Sequence, residues 1–216
     1  MLKKILCVGY RKWSIKIYDK LRKNKKFKIK IIKKNENLKF QEINKFNPDL
    51  ILFYGWSKKV NANIISKYKS YMLHPSNLPK FRGGSPIQNQ IIRGITKTKL
   101  TLFRMNRILD GGNILKKMPI SLEGNIDDVF KEIFEKGLLM TEELLKNKLK
   151  EKKQNLKLGS IYKRRKEAES EITLKEIKTK SSVYLYNKIR MLTDPYPNAF
   201  IKCKDNKKLY IIGVKR

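Results

Sequence analysis

Leu50-Ile51-Leu52-Phe53-Tyr54 follows the breaker Asn47-Pro48-Asp49 as an unbroken apolar run. A short run of this kind after a turn signal reads as a strand buried on both faces, the pattern of a parallel sheet. On its N-terminal side, Ile5-Leu6-Cys7-Val8 reads as a buried strand ending at Gly9, and Phe27 to Ile32 alternates as another. Between these strands, Trp13 to Leu21 places Ile15, Ile17, Tyr18 and Leu21 at mixed helical spacing. Leu38 to Phe46 sets Leu38, Ile43 and Phe46 on a second helix. The order β-α-β-α-β predicts an α/β fold, an open, mostly parallel sheet with helices on both faces.

Toward the C-terminus, Met72-Leu73-His74 reads as a strand end before a loop rich in Pro and Gly, Pro75 to Pro86. A helix candidate covers Ile87 to Arg93, and strands cover Lys99 to Met105 and Asn113 to Ile120 around the turn Asp110-Gly111-Gly112. Asn125 to Lys150 carries the longest amphipathic pattern, with Ile126, Val129, Phe130, Ile133 and Phe134 opening its apolar face. Residues 146–157 are highly charged and read as a linker or frayed helix end. Residues 1–150 then form a main domain. Residues 151–216 form a linker with a small helix, Ser182 to Leu192, and a β-hairpin. The hairpin strands, Ala199 to Cys203 and Leu209 to Val214, flank Asp205-Asn206.

The 216 residues hold 52 Lys and Arg against 19 Asp and Glu, a formal net charge of +33. Such a charge suits a polyanion such as RNA, DNA or an anionic membrane. Most of the cations are lysines spread along the whole chain, and Lys, Ile and Asn share AT-rich codons, so the charge also reads as composition on a solvated surface. No recognised nucleic-acid motif accompanies it. Cys7 and Cys203 exclude a disulfide scaffold and a four-thiolate zinc site, and no metal is expected. No run of 18 apolar residues exists, which argues against a membrane-spanning helix. The N-terminus has no apolar signal region, so a soluble cytoplasmic protein is expected.

His74 is the single histidine, placed where an apolar strand meets a loop. A histidine at such a position is often structural, yet the carboxyl ends of strands are where open α/β sheets bind ligands. The loop Pro79-Lys80-Phe81-Arg82-Gly83-Gly84 adds two cations and accessible backbone amides suited to an anionic group. Asp110, in Ile108-Leu109-Asp110-Gly111-Gly112, reads either as a turn aspartate bonded to its own backbone or as a second functional carboxylate.

The segment Leu73-His74-Pro75-Ser76-Asn77-Leu78-Pro79-Lys80-Phe81-Arg82-Gly83-Gly84-Ser85-Pro86-Ile87-Gln88, followed by Leu109-Asp110-Gly111-Gly112, resembles the formyltransferases that use 10-formyltetrahydrofolate. The resemblance is strong over about residues 48–123. A second stretch, Tyr186 to Phe200 with Asp194-Pro195-Tyr196-Pro197, resembles the segment after the catalytic domain in the tRNA and sugar branches. The resemblance implies a Rossmann-like catalytic domain over 1–150 and attack of a primary amine on the formyl carbon, with tetrahydrofolate leaving. It implies that His74 polarises the formyl oxygen or moves a proton, and that Asp110 orients His74 and accepts the amine proton. It places the folate against Tyr54, Gly55, Trp56 and Ser57 and against the loop from Asn106 to Asp110, including Ile108 and Leu109.

The chain departs from that family at Met72, where the family carries an Asn that donates to the developing oxyanion. A thioether donates no hydrogen bond, and losing one such donor costs roughly 10²–10³ in rate. Asn77 is near in sequence. The resemblance also bears on the acceptor. The chain ends soon after Phe200, without the barrel that grips tRNA in methionyl-tRNA formyltransferases, and so sides with the nucleotide-sugar N-formyltransferases. Ser76, Lys80, Arg82, Gly83 and Tyr196 are then the expected acceptor-side residues. The alternatives are a tRNA-formylating enzyme and a non-catalytic relative that binds folate. The edge of the C-terminal hairpin is open for pairing with a second copy, as in a homodimer.

Overall fold

The computed structural model describes residues 2–215. In chain order its elements are β1 (Lys3–Val8), α1 (Lys12–Arg22), β2 (Phe27–Ile32), α2 (Phe40–Phe46), β3 (Leu50–Tyr54), α3 (Ala62–Lys67), β4 (Ser70–His74), β5 (Arg82–Gly83), α4 (Pro86–Ile91), β6 (Lys97–Arg104), β7 (Ile114–Ser121), α5 (Ile126–Leu145), β8 (Ile161–Tyr162), α6 (Leu174–Thr179), α7 (Ser182–Arg190), β9 (Ala199–Lys202) and β10 (Lys208–Ile211).

The main sheet has six strands in the order β2-β1-β3-β4-β6-β7. The four strands from β2 to β4 run parallel, while β6 and β7 add antiparallel. Strand order reverses at β1, so the crevice at the carboxyl ends of β1 and β3 is a topological switch point. Alternation sorts the strand residues between two cores. Ile5, Cys7, Leu52 and Leu73 pack with Ile17 and Tyr18 of α1 and Ile133 and Met140 of α5. Leu6, Val8, Ile51 and Phe53 pack on the other side with Ile43 of α2 and Ile64 of α3. Tyr18 is fully buried, and its hydroxyl accepts from Tyr54 N and faces the carbonyls of Val8 and Leu52 at 3.0 Å each. It bridges the backbones of β1 and β3 just below the crevice.

The helix expected over Asn125 to Lys150 is α5, ending at Leu145. Its start is sealed by a capping box. Asn125 Oδ1 accepts from Asp127 N and Asp128 N, and Asp128 Oδ2 accepts from Asn125 N. Its end is set by Asn147, whose positive φ of 55° takes the chain out of the helix. The charged stretch read as a linker or frayed helix end lies beyond α5, holds one short 3-10 turn at Leu156–Leu158, and is not detached. Lys152 pairs with Ile114 at the start of β7, and residues 154–164 run back across the carboxyl end of the sheet. The cause is backbone pairing and one buried glutamine, which a run of lysines conceals.

The extension shares the main core through Ile172, Ile189, Met191, Leu192 and Ala199. Arg190 is a buried anchor. Its guanidinium donates to Leu122 O (2.7 Å), Gly124 O (2.8 Å) and Asn187 Oδ1 (2.8 Å). The expected hairpin is β9–β10, with Leu209, Tyr210 and Ile212 exposed. Helices α3 and α6, and the short β5–β8 pair, were not legible in the sequence pattern.

Lys188 of α7 is buried and donates to both carboxylate oxygens of Glu176 at 2.8 Å. Burial by itself would push the Glu176 carboxyl up, but the bonds from Lys188 and Thr173 N and the lysine charge hold it below its ordinary value. A lowered carboxylate stabilises the fold above its unfolded pKa, and that contribution is lost as pH falls through the folded value. Glu176→Gln is therefore expected to lower the melting temperature at neutral pH. The gap to the wild type should close as pH falls from about 5 toward about 3. A gap independent of pH in thermal melts would refute this origin.

Candidate active site

His74 ends β4 and is 5% exposed; Asp110 lies in the turn between β6 and β7 and is 9% exposed. His74 Nε2 donates to Phe81 O at 2.8 Å, so Nε2 carries a proton and Nδ1 is the free ring nitrogen. Nδ1 lies 3.7 Å from Asp110 Oδ2. That is beyond a hydrogen bond, though such pairs are often long without ligand and tighten around one. Asp110 Oδ2 also accepts from Gly83 N at 2.8 Å. The backbone around the pair is strained. Phe81, Ser85 and Asp110 hold positive φ of 57°, 49° and 47° without being glycine. Left-handed non-glycine residues cost of order 1–3 kcal/mol each and gather at functional sites. Gly83 must lack a side chain, since a Cβ there would sit 2.4 Å from Tyr162 O at a φ of +94°. At Gly112 a Cβ would meet Arg104 O at 1.7 Å.

The loop from 75 to 84 is held from two sides. From below, Ser76 Oγ donates to Lys80 O (2.7 Å), Thr101 Oγ1 to Ser76 O (2.6 Å) and Gln90 Nε2 to Pro75 O (2.8 Å). From the C-terminal side, Phe81 N donates to Ser160 Oγ, Arg82 N to Ser160 O (both 2.9 Å) and Gly84 N to Tyr162 O (2.8 Å). The Phe81 and Tyr162 rings stack at 4.9 Å. Gln154 is buried, and its Nε2 donates to Asp110 O (3.0 Å) and Gly112 O (2.6 Å).

The residues singled out from sequence fall in distinct places. His74 and Asp110 face each other at 3.7 Å, His74 tied to the loop through Phe81 O and Asp110 through Gly83 N. Ser76 is fully buried with its hydroxyl spent on Lys80 O, so it holds the turn rather than facing the crevice. Lys80 is exposed. Arg82 is buried, with no partner for Nε, and does not project into solvent as expected of a surface phosphate ligand. Tyr54 turns its side chain into the core, where its hydroxyl meets Thr141 Oγ1 at 3.0 Å, leaving only backbone toward the crevice. Gly55 and Ser57 follow it, and Ser57 Oγ bonds the Tyr10 hydroxyl. Trp56 is buried, and its indole N–H has no protein partner. Ile108 and Leu109 are 50% and 61% exposed on the loop carrying Asp110. Met72 shares a strand face with His74, two residues earlier, and packs on the smaller core. Asn77 is half-buried, and its Oδ1 accepts from Lys117 Nζ at 2.7 Å.

Tyr196 meets a group that sequence reading missed. Arg11, just past β1, lies 4.9 Å from the Tyr196 ring and 5.4 Å from the Tyr10 ring. Arg164 packs on Gly84 and donates to Ser57 O at 3.3 Å. Gln88 of α4 lies beside the Tyr196 phenol, which burial pushes up from its ordinary value. Gln88 is buried with both amide atoms lacking a well-formed hydrogen bond. Among the described residues no cluster of His, Cys, Asp and Glu could hold a metal ion, and no helix is long and apolar enough to cross a membrane.

Fold and site define an open α/β protein with a buried histidine–aspartate pair at the carboxyl end of its sheet. Residues 6–138 match the Formyl transferase family, and the chain belongs to it. It is 33% identical over 199 residues to the bifunctional polymyxin resistance protein ArnA of Wigglesworthia glossinidia brevipalpis, covering 86% of this chain and 30% of that one. A solved structure of methionyl-tRNA formyltransferase from Clostridium thermocellum matches with TM-score 0.85 and 31% identity over 97% of both chains. A 4-N formyltransferase from Francisella tularensis shares the fold, with TM-score 0.75 at 18% identity over 97% of this chain and 96% of that one. Curated relatives include methionyl-tRNA formyltransferases, and the chain spans between 30% and 56% of the length of the first three curated relatives.

Proposed function

We propose that this protein transfers a formyl group from 10-formyltetrahydrofolate to a primary amine, and that the amine is borne by a nucleotide-linked sugar. The observation that carries the reaction is the His74–Asp110 pair, anchored through Phe81 and Gly83. With Nε2 tied to a carbonyl, His74 offers Nδ1 to the reacting atoms or to Asp110. A protonated Nδ1 donates to the developing oxyanion, and the Asp110 carboxylate stabilises that charged form. Asp110 accepts the proton that the amine loses as its nitrogen bonds the formyl carbon, and returns it to the folate nitrogen freed when the formyl carbon–nitrogen bond to the folate breaks.

The crevice suits a flat ring with a polar edge. Trp56 N–H is buried without a partner, Tyr54 presents backbone alone, and Ile108 and Leu109 expose apolar surface beside Asp110. Bound folate supplies an electrophilic formyl carbon, and these residues would hold its ring. The acceptor side is a short wall of Arg164, Ser57, Tyr10, Arg11 and Tyr196 that leads away from Gly84. Two guanidinium groups and two phenol rings match a phosphate and a flat base within one small ligand. The second reading is methionyl-tRNA, favoured by the identity to the Clostridium thermocellum enzyme over nearly the whole of both chains.

The test is transfer from 10-formyltetrahydrofolate to a panel of nucleotide-linked amino sugars, with methionyl-tRNA alongside, followed by tetrahydrofolate release and product mass. A sugar product heavier by one formyl group is expected. Formylated methionyl-tRNA alone would move the acceptor to the second reading. Folate binding without transfer to any amine would overturn catalysis altogether. In the same assay Met72→Asn is expected to leave the rate unchanged or raise it, because it restores a donor beside His74. A large drop would make the thioether part of a rearranged site.

A further inference from the structure

We infer that the segment from Lys152 to Tyr162, which looks like a charged linker in sequence, is a strap that positions the catalytic pair, and that Gln154 is the positioning residue for Asp110. The inference rests on the formyl-transfer reading and adds residues to it. Asp110 sits in a turn with a φ of 47°, a left-handed conformation that Asp adopts at modest cost when its surroundings hold it. Gln154 holds it. Both hydrogens of its Nε2 are used, one on Asp110 O and one on Gly112 O, so a single buried amide clamps the turn on either side of Gly111. Gln154 is itself held, since Lys152 N and O pair with Ile114 O and N at 2.8 Å each.

Six residues later the strap serves the other partner. Ser160 Oγ accepts from Phe81 N, and Phe81 O is the acceptor that fixes His74 Nε2. Ser160 O accepts from Arg82 N and Tyr162 O from Gly84 N, which sets the Gly83 N–H that holds Asp110 Oδ2. One segment therefore closes both arms of the site, Gln154 on the Asp110 arm and Ser160 on the His74 arm. Neither residue touches the reacting atoms. Their role is to keep the 3.7 Å separation between Nδ1 and Oδ2 within reach of a proton transfer.

Gln154→Met keeps length and removes both donors, while Gln154→Lys restores a group that can donate to both carbonyls. With full-length protein, Gln154→Met is expected to lower kcat by on the order of 10²-fold with KM for 10-formyltetrahydrofolate little changed, and Gln154→Lys to recover most of that loss. In an Asp110→Asn background the Gln154→Met effect should vanish, because there is no catalytic carboxylate left to misplace. A second readout needs no turnover. The Gly83 amide proton resonance reports its bond to Asp110 Oδ2, and it should shift in Gln154→Met and return in Gln154→Lys. Near wild-type kcat together with an unmoved Gly83 resonance in Gln154→Met would overturn the inference. So would a loss of the same size with and without Asp110, which would mark a general stability effect. An inactive wild type would instead overturn the formyl-transfer reading, while the Gly83 resonance would still decide the strap.

Discussion

Asp110→Asn is expected to lower formyl transfer by about 10²–10⁴-fold while leaving the fold and the folate affinity near wild type. The substitution is chosen for its backbone. Asp110 holds a φ of 47°, and Asn is among the few residues that tolerate the left-handed region. Ala there would add about 1–2 kcal/mol of backbone cost and confuse catalysis with stability. The Asn side-chain oxygen also keeps an acceptor for Gly83 N, which now bonds Oδ2 at 2.8 Å. What is lost is the negative charge facing His74 Nδ1 and the capacity to take the amine proton. The check is single-turnover formyl transfer with circular dichroism and thermal melting on the same sample. Near-normal turnover in a folded variant would remove Asp110 from the mechanism.

His74→Ala is expected to reduce transfer by a comparable factor, about 10²–10⁴-fold, and also to destabilise the protein. The second effect follows from burial. His74 is 5% exposed, and its removal leaves Phe81 O without its donor and a small void at the end of β4. An unsatisfied buried carbonyl costs about 1–3 kcal/mol. His74→Gln separates the effects, because it retains an amide N–H for Phe81 O and cannot accept a proton as imidazole does. Recovered stability without recovered turnover is the expected pattern. Turnover within a few-fold of wild type in either variant would show that His74 only braces its loop.

Much of the fold is legible in local pattern because burial leaves its mark there. Leu50 to Tyr54 is apolar throughout because β3 is covered on both faces, whereas Lys28 and Lys30 interrupt β2, an edge strand that is mostly half-buried. Helix α5 announces its start through Asn125 and Asp128, whose hydrogen bonds are local in sequence. His74 and Asp110 stand out in the sequence because each falls near the end of a strand-like segment in a motif that resembles a known family, and the structure sets them 3.7 Å apart.

Arg82 and Ser76 show where that reading stops. A cation and a hydroxyl in a glycine-rich loop look free to meet a ligand, yet both are buried by residues distant in the chain. Gln154 and Ser160 show the converse. Each is an unremarkable polar residue in a basic stretch, and each finds its hydrogen-bond partner 42 to 79 residues away. Arg11 and Tyr196 are separated by nearly the whole chain and meet at 4.9 Å.

The order of the main strands and of the longer helices follows from residue pattern, because hydrophobic periodicity and helix caps act over a few residues, and the motif that resembles a known family singles out His74 and Asp110. The closure of the site does not follow from pattern. Whether Asp110 sits in its left-handed turn, which ring nitrogen of His74 is free, and which cations lie beside Tyr196 depend on contacts between segments far apart in sequence. Those contacts exist only once the sheet has formed and the C-terminal segment has returned across its carboxyl end.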